Sequence, residues 1–179
     1  MRIDWFENVD LYQTRQEKSQ YYSTISASVN TAVLYDADTR CFGTISDVNS
    51  HKADVTWASL TKIFEHVDFS DCDHLFIASD SPSSQYRNRK NVFLMKAWAV
   101  SNKIDVSWVF TETGHGKGPM DGVGGCIKRV IKDTISYHPN SVIRNSEQLL
   151  KHLPNMENII IKSYNKEDVL KAREFFPCK

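Results

Sequence analysis

Residues 75–132 constrain this chain more than any other stretch. An apolar run, 75–78, ends at Ser79-Asp80. A buried strand ending on an acid holds a carboxylate at the C-terminal edge of a sheet. Ser81-Pro82-Ser83-Ser84 reads as a turn. The next segment, 85–103, contains no acid and carries Arg87, Arg89, Lys90, Lys96 and Lys103. Its Val92, Met95, Ala99 and Val100 recur at helical spacing. A second strand, 106–110, leads into Gly114-His115-Gly116-Lys117-Gly118-Pro119 and a second acid, Asp121, at the mouth of a helix. Two acids on two strand edges, with basic residues between them, suit a site for metal and phosphate.

The rest of the chain supplies the frame. Residues 1–6 read as a strand around Asp4, and 7–20 as a polar loop or short helix. Residues 21–35 are rich in Thr, Val, Ile and Tyr and read as one or two strands. Asp36-Ala37-Asp38 turns the chain into a return strand over 40–46. Trp57, Leu60, Ile63, Phe64 and Val67 predict a helix over 56–67, capped by Asp54. Strands at 75–78 and 106–110 enclose a helix at 91–100. A helix over 122–135 follows, broken at His138-Pro139-Asn140. A short helix capped by Ser146, a strand at 159–162 and an amphipathic helix at 166–176 close the chain. This order predicts an α/β fold in three layers, a mixed sheet flanked by helices. The same order occurs in ribonuclease H-like folds, where the first and fourth strands are neighbours and each presents an acid. Asp4 and Asp80 match those places. The expected division is a core over 1–135 and a helix-and-strand extension over 136–179.

Length and charge exclude more than they identify. A chain of 179 residues fits one domain with a real core. Basic and acidic residues number 22 each, so any nucleic-acid argument rests on local patches. The scattered Cys41, Cys72, Cys126 and Cys178 form no C-x-x-C pair, which argues against zinc and against a secreted disulfide scaffold. No apolar run approaches spanning length and no signal peptide opens the chain. The expectation is an intracellular, soluble protein with no membrane partner.

Three features carry chemistry. Asp4, Asp80 and Asp121 lie 76 and 41 residues apart (80 − 4, 121 − 80), so they converge only through the fold, as ligands of a two-metal phosphoryl-transfer site must. Acids at strand ends also serve as ordinary turn and cap residues. The glycine-rich loop is not a Walker A motif, because Gly118 follows Lys117 where Ser or Thr is needed. Its glycines can bring N–H groups to an anion at a helix start. Asp121 would repel a bare phosphate there, which favours a metal-mediated arrangement. His115 suits a metal ligand or a proton shuttle, or a loop histidine satisfied by backbone. Gln85-Tyr86-Arg87-Asn88-Arg89-Lys90 interleaves bases with an aromatic, a pattern suited to a phosphate backbone and equally to a solvated helix start. The four tryptophans and Cys126 read as packing.

Longer blocks then carry a resemblance. Asp4-Trp5-Phe6-Glu7-Asn8, Gln16-x-x-x-Gln20-x-Tyr22, Ser79-Asp80-x-x-x-Ser84-Gln85-Tyr86-Arg87-Asn88, Trp108-x-Phe110, and His115-Gly116-Lys117-Gly118-Pro119-x-Asp121-Gly122-x-Gly124-Gly125-x-x-Lys128-Arg129 span nearly the whole chain. Together they resemble a group of uncharacterised animal and insect-virus proteins that look like descendants of DNA transposases with a ribonuclease H-like catalytic domain. The resemblance implies that Asp4 and Asp80 bridge two Mg²⁺ or Mn²⁺ ions, with Asp121 completing the second. Glu7 also belongs to the pattern; Glu112 lies nearby outside it and ranks below Asp121 as third ligand. Arg87, Arg89, Lys90, Lys117, Lys128 and Arg129 are the implied DNA contacts, with Gln85 and His115 as further candidates. DNA as partner implies nuclear action, and self-association is compatible with it. Ser81 stands where the group usually has glycine. The start three residues before Asp4 reads as an N-terminal truncation. Two readings stay open beside the enzyme: a catalytically inactive remnant that binds nucleic acid or protein, and a small-molecule phosphate enzyme using the glycine loop.

Overall fold

The structure, a computed structural model, describes residues 1–11, 26–111, 118–138 and 143–174. Strand β1 (Arg2–Asp10) alternates in the manner of a strand with two covered faces. Ile3 and Trp5 enter one core, while Phe6 packs against the other. β1 pairs antiparallel with β2 (Ser26–Tyr35), and β2 antiparallel with β3 (Thr39–Ser46). β2 is buried along nearly its whole length, as a central strand should be. On the other side of β1 come β4 (His74–Ser79) and β5 (Asp105–Phe110), both parallel to it. β6 (Ile159–Ser163) joins β3 in parallel. The six-stranded mixed sheet has the order β5-β4-β1-β2-β3-β6.

Helices close both faces. α1 (Ala53–Phe64), α2 (Arg89–Asn102) and α5 (Lys166–Glu174) contribute to a core with Ile3, Trp5, Ala32, Leu34, Phe42, Leu75 and Ile77. α3 (Pro119–Tyr137) and α4 (Ser146–His152) build a second core with Val29, Val33 and Ile45. The alternation of β2 residues between the two cores makes the three layers. Residues beyond 135 continue this body: β6 extends the sheet, and Tyr164, Val169 and Ala172 lie in the α1 core. No described helix is long and apolar enough to cross a membrane.

Four local expectations are corrected. Asp54 does not cap α1; Lys52 occupies that position without a side-chain bond. Asp54 is buried in the first turn, where Oδ2 accepts from Lys90 Nζ at 3.0 Å and Arg173 Nε at 2.5 Å. Burial raises its carboxyl pKa, but those bonds outweigh burial and hold it below the ordinary value. One carboxylate thus ties α1, α2 and α5 together. The cap of α4 is Asn145, whose side chain accepts from Gln148 N at 2.8 Å, because Ser146 is taken by Asp47. On α2 the periodicity holds but the phase does not. Val92 and Val100 are 52% and 70% exposed, while Asn91 and Leu94 point inward. Asn91 Oδ1 accepts from Trp57 Nε1 at 2.7 Å, and its Nδ2 donates to Tyr86 O at 2.8 Å. Cys126, expected to pack, is exposed.

Helix α3 lies close on β1 because Gly124 has no side chain. A Cβ there would come within 2.3 Å of Phe6 Cδ2, whereas one on Gly125 meets open space. Gly124→Ala should therefore lower stability by about 1–3 kcal/mol through overpacking. Gly125→Ala should be neutral or stabilising by up to ~1 kcal/mol through helix propensity. Urea unfolding of the two variants separates these outcomes. Asp54→Asn, which weakens two charge-assisted bonds, should cost about 2 kcal/mol in the same assay.

Candidate functional site

The parallel register of β1 and β4 sets Arg2 against Ala78. Two residues further along each strand stand Asp4 and Asp80, so the sheet places these two acids side by side. Asp80 lies just past the end of β4, followed by a turn in which Pro82 O accepts from the N–H groups of Gln85, Tyr86 and Arg87. Ser79 is held from β5: Trp108 Nε1 donates to its Oγ at 2.9 Å, and Thr111 N to its carbonyl at 2.8 Å. Asp121 sits in the first turn of α3, whose approach to β1 is set by Gly124.

Burial and neighbouring carboxylates act together at Asp4. Burial and then the Asp80 carboxylate push the Asp4 carboxyl up to about 6; the Trp5 backbone N–H works against this, and Asp121 adds the smallest contribution. Burial also raises Asp80. Asp80 Oδ1 is buried without a hydrogen-bond partner. So is the hydroxyl of Tyr86, which is fully buried. Burial, followed by the charges of Asp4 and Asp80, lifts this phenol well above its ordinary pKa, so it stays a neutral donor. Buried polar atoms without partners are costly; Asn30 and Asp54 Oδ1 are others among the described residues, and the Trp5 backbone acts on the Tyr86 hydroxyl.

Asp4 and Asp80 are therefore brought together, with Asp121 acting on Asp4 from the third side. Among the described residues no group of three His, Cys, Asp or Glu side chains could hold a metal ion. A cation here would rest on two protein carboxylates first. Lys128 lies two turns along α3 from Asp121, with Nζ 5.4 Å from the centre of the Phe6 ring. Arg129 is exposed on the same helix. Arg87 and Arg89 are exposed at the start of α2, whereas Lys90 is engaged by Asp54. Gln85 contributes backbone to the turn. Glu7 lies in the irregular part of β1, between Phe6 and Val9. Glu112, His115 and Lys117 lie outside the described residues.

Two participants escaped the sequence reading. Tyr86 is an aromatic in a basic run, and nothing in that run signals that it is fully buried within reach of the Asp4 and Asp80 charges. Arg2 precedes Asp4 by two residues and shares its face; a Cβ on Gly118 would stand 3.3 Å from its guanidinium. The alternation of β1 could have found it.

The raised Asp4 pKa fixes the sign of a pH effect. Between the ordinary 3.8 and about 6, the folded chain keeps a proton that the unfolded chain has released. Stability from this group is full below that window and is lost as pH rises through it. Asp4→Asn should therefore be more stable than the wild type above about pH 6, with the advantage vanishing below about pH 4. Urea midpoints measured across that range check it.

No curated protein matches this chain, and no solved structure does. One family model covers residues 1–177, and the chain accordingly belongs to that family, a domain of unknown function designated DUF8701.

Proposed function

We propose that this chain is a ribonuclease H-like, transposase-derived core that performs divalent-cation-dependent phosphoryl transfer on DNA. The observation that carries the reading is that Asp4 on β1 and Asp80, just past the end of the neighbouring parallel β4, each stand two residues beyond the paired Arg2 and Ala78, with Asp80 Oδ1 buried and unpartnered. The strand order supports it: three antiparallel strands, then two parallel ones added beside the first. So does the placement of the acids, one on β1, one after β4 and one opening the helix after β5.

The donor set fits a hard cation. Two adjacent carboxylates offer oxygen ligands and negative charge together, which Mg²⁺ and Mn²⁺ require. Asp4 and Asp80 would hold the ion, and Asp121 would add negative potential. When bound, such an ion supplies Lewis acidity toward a phosphodiester and a more acidic water. The chain's own residues do the rest. The two strand ends fix the carboxylates, and Tyr86 offers a neutral hydroxyl below them. Lys128 contributes positive charge on the α3 side.

A second reading has one observation in its favour. The lack of a three-ligand group among the described residues suits a scaffold that binds DNA without cutting it.

Nicking of supercoiled DNA separates the two. The enzyme reading expects Mn²⁺- or Mg²⁺-dependent nicking that falls at least about 100-fold in Asp80→Asn, since even outer-shell changes at metal sites cost 10–100-fold. Calorimetry should show Mn²⁺ binding by the wild type and not by Asp80→Asn. A wild type that binds no divalent ion ends the enzyme reading and leaves the binding module.

A further inference from the structure

β5 is the outermost strand of the sheet, and among the described residues nothing pairs with its free edge. Asp105 N and Thr111 N donate to carbonyls on the β4 side, Asp73 O and Ser79 O. Alternate residues of a parallel strand address one neighbour, so Asp105, Ser107 and Val109 address β4. Val106, Trp108 and Phe110 therefore turn their N–H and C=O groups outward. Such edges are ordinarily blunted by a charge, a proline or a bulge. Residues 106–110 contain no charge and no proline, and the β4–β5 register runs without a shift.

Beside that edge a groove of about 830 Å³ runs between the first half of α2 and the end of β5. Exposed Arg87, Arg89 and Lys96 rim it. Among the described residues no carboxylate forms an ion pair with these three cations. The Phe110 ring is stacked on Trp108, so the edge offers backbone rather than an aromatic face. The other side of β5 is bare. α3 packs on β1, β2 and β3, while Val109 on β5 and Phe76 on β4 are 52% and 59% exposed.

We propose that β5 accepts an extended segment of a partner protein as a seventh strand, with acidic side chains on the α2 side and apolar ones on the Val109 side. An added strand alternates its side chains between the two faces of the sheet. One set meets Arg87, Arg89 and Lys96; the other covers Val109. Main-chain bonds to Val106, Trp108 and Phe110 supply affinity, and the alternation supplies specificity. Charge selects the partner. A second copy would bring up another α2 flank, and residues 85–103 carry five basic side chains and no acid, so two copies repel there. A nucleic-acid strand answers the cations but offers no ladder of alternating donors and acceptors. The inference does not depend on the phosphoryl-transfer reading.

Fluorescence anisotropy with a labelled, terminally blocked peptide alternating glutamate and valine, as long as the 6 residues of β5, tests this. The comparison probes are a peptide of the same composition with its glutamates and valines in separate halves, and one alternating lysine and valine. The alternating acidic peptide should bind at least about tenfold tighter than either. N-methylation of one alternate set of its residues should abolish binding, because those amides address β5; methylation of the other set should cost far less. Arg89→Gln should weaken binding about two- to fivefold and reduce its salt dependence, as loss of a rim charge does. No binding of the acidic peptide, equal binding of the segregated one, or undiminished binding of both methylated forms would overturn the strand addition. Tighter binding of an oligodeoxythymidine, weakened by Arg89→Gln, would give the flank to nucleic acid instead. A dimer in sedimentation that the acidic peptide does not dissociate would give the edge to a second copy. Either result overturns the choice of partner.

Discussion

Two carboxylates forced together by backbone register are the constraint on which this structure turns. Asp4 and Asp80 do not meet through flexible side chains choosing one another. They meet because β1 and β4 are parallel neighbours, with Asp4 on β1 and Asp80 directly after β4, each two residues beyond the paired Arg2 and Ala78. Burial first, and then the Asp80 carboxylate, raise the Asp4 pKa there. Like charges held in a partly buried site oppose folding, so some other interaction must hold the strand ends against that repulsion.

That hold comes from around the acids rather than from them. Ser79 is fastened to β5 through Trp108 and Thr111. The turn after Asp80 folds back on Pro82, and its Tyr86 carbonyl is gripped by Asn91. Asn91 in turn accepts from Trp57 on α1, and α1 is fastened to α2 and α5 by Asp54. A chain of buried polar contacts therefore runs from the outermost helix to the carboxylate. Such contacts rigidify, yet unsatisfied buried atoms remain along this one, Asp54 Oδ1 at its start and Asp80 Oδ1 and the Tyr86 hydroxyl at its end.

The legible and illegible parts of this chain divide along a physical line. Apolar runs at 75–78, 106–110 and 159–162 announce strands because burial needs apolar surface, and each is found. The likeness of the element order to ribonuclease H-like folds sets the first and fourth strands side by side, and the neighbouring β1 and β4 agree with that adjacency. What sequence conceals is inward-facing polarity. Asn91 turned α2 from its expected phase because a hydrogen-bonded amide can occupy a core position that periodicity assigns to a valine. Asp54 read as a cap because its two partners come from residues 36 and 119 positions away (90 − 54, 173 − 54). Tyr86 was hidden for the same reason.

The distribution of charge at this end of the sheet raises a last point of physics. Basic residues at a helix start oppose the helix dipole, at roughly 0.3–1 kcal/mol each. α2 has no acid in its first turn, and carries Arg89 and Lys90 there with Arg87 just before. Lys90 is compensated by Asp54; Arg87 and Arg89 have no carboxylate among the described residues. An external anion would relieve that tension. The same anion would be repelled by Asp4 and Asp80 a few residues away, unless a divalent cation stood between. Acid pair and basic helix start thus place opposite demands on a bare phosphate, which is the electrostatic tension this end of the sheet carries.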